Sequence, residues 1–204
     1  MVLELRATLL NPSETRVIDM SENKSDRLIW LDLEMTGLEP DSCTILEIAT
    51  VVTTGDLEVV ATGPNLAIHH PDAVLDAMDE WNTTHHTASG LVERVKTSEI
   101  DLRAAEVATL EFLRKHVLEG KAPLCGNSIS QDRRFLRTYM PELDAFFHYR
   151  NVDVSSIKEV VKRWYSNDYL PPRKKNAHLA LDDVLESIEE LRYYRDNIFV
   201  PSDL

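Results

Sequence analysis

A chain of 204 residues with 43% hydrophobic content suits one compact domain with an ordinary buried core. Its formal charge of −13 argues against a protein that coats long nucleic acid, because phosphate contacts along a polyanion need a broad basic surface; a short nucleic-acid substrate stays compatible. The only cysteines, Cys43 and Cys125, stand far apart with no CxxC pair, which gives no support to a disulfide framework or a zinc-thiolate site and fits a reducing cytoplasm.

No apolar run approaches the roughly 20 residues of a membrane span, and residues 1–20 lack the basic start, apolar stretch and small-residue cleavage site of an export signal. A soluble, cytoplasmic protein is expected. Residues 1–26 have no clear period and end in the polar run Ser21-Glu22-Asn23-Lys24-Ser25-Asp26, which reads as an N-terminal extension and linker before a domain spanning 27–204. Because the periodic pattern begins only at Arg27, Met20 is a candidate functional start.

From Leu28 the run Leu-Ile-Trp-Leu-Asp-Leu-Glu is dense in strand formers, and Thr44 to Thr54 is rich in β-branched residues, as buried strands are. A third strand is predicted from Leu57 to Ala61, continuing toward His69, with Gly55-Asp56 as the turn before it. Pro71 to Met78 and Ala88 to Thr97 read as short helices, and Asp101 caps a longer one through Val117. Ala122 to Gly126 is a short strand. Ser128-x-x-Gln131 has capping-box spacing and predicts a helix to about Met140, with Asp132 in its first turn. A strand around Tyr149 to Val154 precedes a second capping box, Ser156-x-x-Glu159, whose helix gathers Ile157, Val160, Val161 and Trp164 on one face. The last helix runs from about Leu179 to Asn197. Strands first, then alternating helices and strands, imply a mixed α/β sheet flanked by helices.

Side chains alternate faces along a strand, so Asp32 and Glu34 project from the same side of the first one. They follow a strongly apolar segment, where carboxylates call for compensating cations or donors. Magnesium and manganese are hard cations that prefer oxygen ligands and suit that need. Asp132 shares a helical face with Phe135, Leu136 and Tyr139 and is expected to point toward the sheet. At the start of the last helix, His178 can share a pocket with an acid of the first turn if it lies on the preceding loop, with Asp182 and Asp183 four and five residues on. Both spacings reach a common pocket across a helix start.

The order DLEMTG, GNSISQDRRFL, HLALDD resembles the three exonuclease motifs of the DEDD superfamily, in its subtype with a histidine. The resemblance spans residues 28 to about 198. The details DLEMTGL, MDEWN, FHYRNVDVS and HLALDDVLESIEEL are similar to the oligoribonuclease family. It implies a ribonuclease-H-like fold, with Asp32, Glu34, Asp132 and Asp183 as the metal-binding acids and His178 as general base. Such a site suits phosphodiester hydrolysis: two Mg²⁺ or Mn²⁺ ions about 4 Å apart stabilise the attacking and leaving oxygens. A neutral imidazole near pH 7 takes the proton of the attacking water.

The expected activity is 3′-to-5′ hydrolysis of short single-stranded RNA, down to dinucleotides, to nucleoside 5′-monophosphates. Linear dinucleotides left by other nucleases or by cyclic-dinucleotide breakdown are natural substrates. Competing readings are an exonuclease trimming DNA or structured RNA ends, and an inactive nucleic-acid-binding protein on the same fold. The intact acids and histidine speak against the second.

Several residues are candidates for holding a short substrate. Leu38, with Met35, follows the acidic pair on a Thr36-Gly37 turn and is placed to wedge against terminal bases. Trp81 is placed to stack on a base, with His86 nearby in sequence. His148, Tyr149 and Arg150 offer phosphate donors and an aromatic hydroxyl. The resemblance implies that this segment comes from the partner subunit of a homodimer, Tyr149 completing the other chain's catalytic site. Ser155 is a further phosphate contact. Arg133, Arg134, Arg137 and Arg173-Lys174-Lys175 read as a solvated basic face without a specific role.

Overall fold

A computed structural model describes residues 24–171 and 179–200. The proposed start at Met20 and residues 172–178, His178 among them, lie outside the described residues. Among those described, no helix is long and apolar enough to cross a membrane.

Five strands form one mixed sheet in the order β3-β2-β1-β4-β5: β1 (Arg27–Met35), β2 (Ile45–Thr54), β3 (Val59–Ala67), β4 (Leu124–Gly126) and β5 (Asn151–Asp153). β1, β2 and β3 pair antiparallel, as a chain folded through short turns must. β4 and β5 add parallel to β1 after helical crossovers. Nearly all of β2 is buried, which explains its continuous apolar and β-branched composition.

Alternation along β1 divides the core into two layers. Ile29, Leu31 and Leu33 pack on one face with α4 (Leu102–His116), α5 (Ile129–Tyr139) and α6 (Pro141–Phe146). Trp30 faces the other way, into a cluster with residues of α7 (Val154–Trp164) and α8 (Ala180–Asn197). The same parity carries Asp32 and Glu34 onto the α8 side.

Between β3 and α4 lie α1 (Asp72–Asp76), α2 (Glu80–Ala88) and α3 (Leu91–Thr97). The helix expected over Ala88 to Thr97 is in fact the end of α2 and the whole of α3. The break falls at Gly90, whose φ of 75° lies in the left-handed region. α2 was not legible in the sequence because EWNTTHHTA has little apolar periodicity; Asp79 starts it by accepting from the Asn82 N–H at 2.8 Å. The third strand begins at Val59, since Leu57 has φ 68° and sits buried in the turn.

Neither expected capping box forms. Ser128 precedes α5 in a left-handed conformation, with no side-chain cap bond. The α7 cap is Asp153, which accepts from the Ser155 N–H at 2.9 Å, so Ser156 is already inside the helix. On α7, Val161 is buried, but Val160 and Trp164 are exposed, so the predicted apolar face is only half covered.

Candidate active site

β4 pairs with β1 only at Ile29 and Trp30, so the far half of β1 extends past the end of its parallel neighbour. This is where strand order reverses, the place where open α/β sheets build their sites. Gly126 ends β4 so close to β1 that a Cβ there would stand 2.9 Å from the Leu31 carbonyl oxygen. Beyond it, the Leu33 N–H donates to Asp132 Oδ1 at 3.0 Å. Asp132 therefore approaches from α5 and docks on the edge of β1 that β4 leaves unpaired.

Asp32, Glu34 and Asp183 each offer a carboxylate oxygen, and these oxygens lie within 4.8 Å of one another. Asp182 is exposed, so the choice left open by the helix start falls on Asp183. Asp183 is fixed by its N–H to the Leu179 carbonyl at 3.0 Å, and its own carbonyl accepts from Ser187 Oγ at 2.8 Å. Burial, then the charges of Asp183, Glu47 and Asp132, push Glu34 up to about 8. Burial raises Asp132 to about 7, against the opposing pull of the Leu33 N–H. A group of carboxylates that holds on to protons at neutral pH is short of positive charge. Its all-oxygen donor set fits magnesium or manganese.

Three participants were not singled out from sequence. Glu47, directly opposite Glu34 in the β1–β2 register, is 0% exposed. Arg94 of α3 pairs with its Oε1 at 2.5 Å, and its Oε2 lies 3.4 Å from the Ala180 N–H that opens α8. Cross-strand register with Glu34 was the one available signal. Asn127, at the end of β4, accepts from Ser155 Oγ at 3.0 Å and donates to Ser187 Oγ at 2.8 Å. It thereby joins the Ser155 corner to α8.

His86 of α2 is buried, its Nε2–H donating to the Met35 carbonyl at 2.9 Å. Its Nδ1 stands 3.8 Å from Glu34 Oε2, beyond hydrogen-bond length. The histidine thus sits under the acids, inside the wall of the site. Trp81, on the same helix, is 57% exposed and stacks on His85 with centroids 3.9 Å apart. Leu38 is 67% exposed on the turn that follows β1. Ser155 Oγ accepts from the Ser128 N–H at 3.0 Å.

Tyr149 is 72% exposed; His148 lies against its ring at 4.4 Å and the Arg150 guanidinium over it at 5.2 Å. Arg133, expected on a solvated face, is instead buried. It pairs with Asp144 at 2.8 Å and donates to the His148 carbonyl at 3.0 Å, holding the segment from which Tyr149 projects.

The family model described as Exonuclease matches residues 29–191. An oligoribonuclease of Alcanivorax borkumensis is 60% identical over 176 residues, which make up 86% of this chain and 97% of that protein. The oligoribonuclease of Marinobacter nauticus is 56% identical over 177 residues, 87% and 98% respectively. Among solved structures, E. coli exonuclease I in a single-stranded DNA complex superposes with a TM-score of 0.65 at 13% identity, over 85% of this chain and 41% of that one. That likeness shows the fold.

Proposed function

Because the chain belongs to the oligoribonuclease family of exonucleases, we propose that it is a 3′-to-5′ exoribonuclease that converts short oligoribonucleotides, down to dinucleotides, into nucleoside 5′-monophosphates. The observation that carries this reading is the meeting of Asp32, Glu34 and Asp183 oxygens within 4.8 Å at the open end of β1, with Asp132 bonded to the neighbouring Leu33 N–H.

Asp32, Glu34, Asp132 and Asp183 would hold two divalent cations, Mg²⁺ or Mn²⁺, whose Lewis acidity makes a water more acidic and offsets charge growing on the phosphate. His178 takes the proton of the water that attacks phosphorus, as the 3′ oxygen of the preceding nucleotide departs with the electrons of the broken P–O bond. Leu38 and Trp81 border the bases, and Ser155 binds a terminal phosphate.

A homodimer completes the reading, with Tyr149, His148 and Arg150 entering the partner's site. Its support is the exposure of Tyr149 together with Trp164, Tyr165 and Tyr169, since aromatic side chains are enriched at interfaces. An active monomer by light scattering would sink that part. The short substrate is favoured by the charge of −13, which repels a long polyanion. The cytoplasm is the proposed compartment.

The test is digestion of 5′-labelled RNAs two to about ten nucleotides long with magnesium, manganese or chelator. Metal-dependent cleavage that is fastest on the shortest supports the reading. Equal or greater activity on long RNA or DNA would replace it with a general exonuclease, and no cleavage at all would leave a binding protein.

A further inference from the structure

Behind the acids a chain of side-chain hydrogen bonds links three helices, and Asn127 stands at its centre. Asn127 directly follows β4. Its Nδ2 donates to Ser187 Oγ at 2.8 Å and to Glu190 Oε2 at 3.2 Å, both on α8. Its Oδ1 accepts from Ser155 Oγ, on α7, at 3.0 Å.

The amide fits only one way round. Ser187 gives its single proton to the Asp183 carbonyl at 2.8 Å, so toward Asn127 it can only accept. Glu190 is a carboxylate, held from elsewhere by Lys158 at 2.7 Å and by the Tyr194 hydroxyl at 3.2 Å. Two acceptors on α8 therefore require the NH2 of Asn127, and the carbonyl oxygen is left to Ser155. Ser187 and Glu190 are buried, so losing these bonds is not made good by bulk water.

Each end of the amide bears on an acid. On the α8 side, Asn127 grips the turn that follows Asp183, whose carbonyl ends the chain of bonds. That grip fixes α8 against the end of β4, and so where the Asp183 carboxylate meets those of Asp32 and Glu34. On the other side, Ser155 Oγ gives its proton to Asn127 and accepts the Ser128 N–H at 3.0 Å, a donor it shares with Asp153 Oδ1 at 3.0 Å. Ser128 has a φ of 51°, in the left-handed region that residues with side chains rarely adopt, so its turn depends on such bonds. That turn starts α5, and Asp132 lies in the first turn of the helix.

We propose that Asn127 is a positioning residue for the cation site, setting both helix-borne acids, Asp183 and Asp132, against the pair on β1. This rests on the reading of the four acids as metal ligands. Ligands held in place before the ion arrives need less ordering when it binds, so loosening the amide should show as weaker metal affinity.

The test measures manganese affinity by calorimetry, the urea midpoint, and kcat and KM on a dinucleotide over a range of manganese, for Asn127→Ala, Ser187→Ala, Asp183→Asn and Gly63→Ala. Ser187→Ala removes one oxygen and cuts only the α8 arm. Gly63→Ala is the stability control, because it crowds β3 at the opposite edge of the sheet from β4 and β5.

Asn127→Ala should weaken manganese binding about tenfold, the lower end of what losing a group behind a metal ligand costs. Ser187→Ala should weaken it by less, and the kcat it loses at limiting manganese should return in excess manganese with KM unchanged. A merely structural role would lower the folded fraction and leave the manganese dependence where it was. Wild-type affinity in Asn127→Ala, alongside a loss in Asp183→Asn, overturns the positioning role and spares the metal site. An equal loss in Gly63→Ala would tie the effect to stability alone and also overturn it. Where Asn127→Ala does not fold, Ser187→Ala decides, and wild-type affinity there overturns the proposal. Unchanged affinity in Asp183→Asn removes the metal reading, and the positioning role with it.

Discussion

Glu34 and Glu47 stand directly opposite one another across β1 and β2, two acids in one cross-strand pair beside the open end of the sheet. They are handled differently. Glu47 is fully buried and matched by Arg94, whereas Glu34 lies among Asp32, Asp183 and Asp132 and is pushed up to about 8. Like charges directly opposed are destabilising, so the pair persists because one member is neutralised by Arg94 and the other keeps its proton at neutral pH.

The metal-free protein is therefore expected to lose stability as pH rises from about 5 to 8. An unfolded Glu34 releases its proton near the ordinary 4.5, while the folded one keeps it until about 8, so over that window the folded state binds more protons and is favoured by acid. Asp132, raised to about 7, acts in the same direction. Divalent cation needs the ionised carboxylates, so it should reverse the slope and bind more tightly toward pH 8. Thermal melts in chelator and in manganese across this range check both signs. A melting point in chelator that rises with pH would contradict the account.

Arg94→Met should destabilise the fold by about 3 kcal/mol, the scale of an uncompensated buried charge. Glu47, with no exposed surface, cannot recover water in that variant. The double variant Glu47→Gln, Arg94→Met should regain most of the loss, because no charge is then stranded. Urea denaturation of the single and double variants gives the comparison.

Asp183→Asn should weaken manganese binding by more than about 100-fold, beyond the cost of losing an outer-shell partner. Asp182→Asn, one residue away and exposed, should bind as the wild type does. His178→Ala should nearly abolish turnover while leaving metal and substrate binding largely intact. Calorimetry separates the first two variants, and single-turnover kinetics with a binding assay reads the third. Unchanged turnover would remove His178 as the base.

Trp81→Ala should raise the KM for a dinucleotide with little change in kcat, by the equivalent of about 1–3 kcal/mol of lost base stacking. Its ring is more than half exposed on α2 and packs on His85, so truncation leaves the core alone. Steady-state kinetics on a dinucleotide measure this, and a fall in kcat alone would contradict it.

Gly63→Ala should cost about 1–3 kcal/mol by overpacking. A Cβ there would stand 2.4 Å from Thr50 Oγ1 and 2.7 Å from the Phe112 ring, which holds β3 between β2 and α4. The unfolding midpoint in urea should fall while metal affinity stays as it was.

The capping boxes show where local spacing misleads. Ser128 and Ser156 sit at the right distance from Gln131 and Glu159, but Gln131 is drawn to the Leu38 carbonyl, and Asp153 takes the cap of α7 in place of Ser156. A spacing rule sees neither the distant carbonyl that draws Gln131 nor the earlier start that puts Ser156 inside its helix. α2 failed the opposite way: its residues carry little apolar period, and it forms through its Asp79 cap.

The sequence by itself determined the strand parity that puts Asp32 and Glu34 on one face, the helical face that carries Asp132, and the family resemblance of the three motifs. These follow from backbone periods of 2 and 3.6, which any reader of the chain can count. Only the tertiary structure brought the Asp183 carboxylate beside Asp32 and Glu34, set Arg133 inside and not on the surface, placed Glu47 and Arg94 behind the acids, and tied the Leu38 turn to α5. Each of these depends on pairs far apart in the chain, whose meeting is fixed by sheet order and helix docking and not by local spacing. The acids on β1 were legible as a pair; what brings Asp132 to them is the early end of β4, which leaves room on that edge for it to dock.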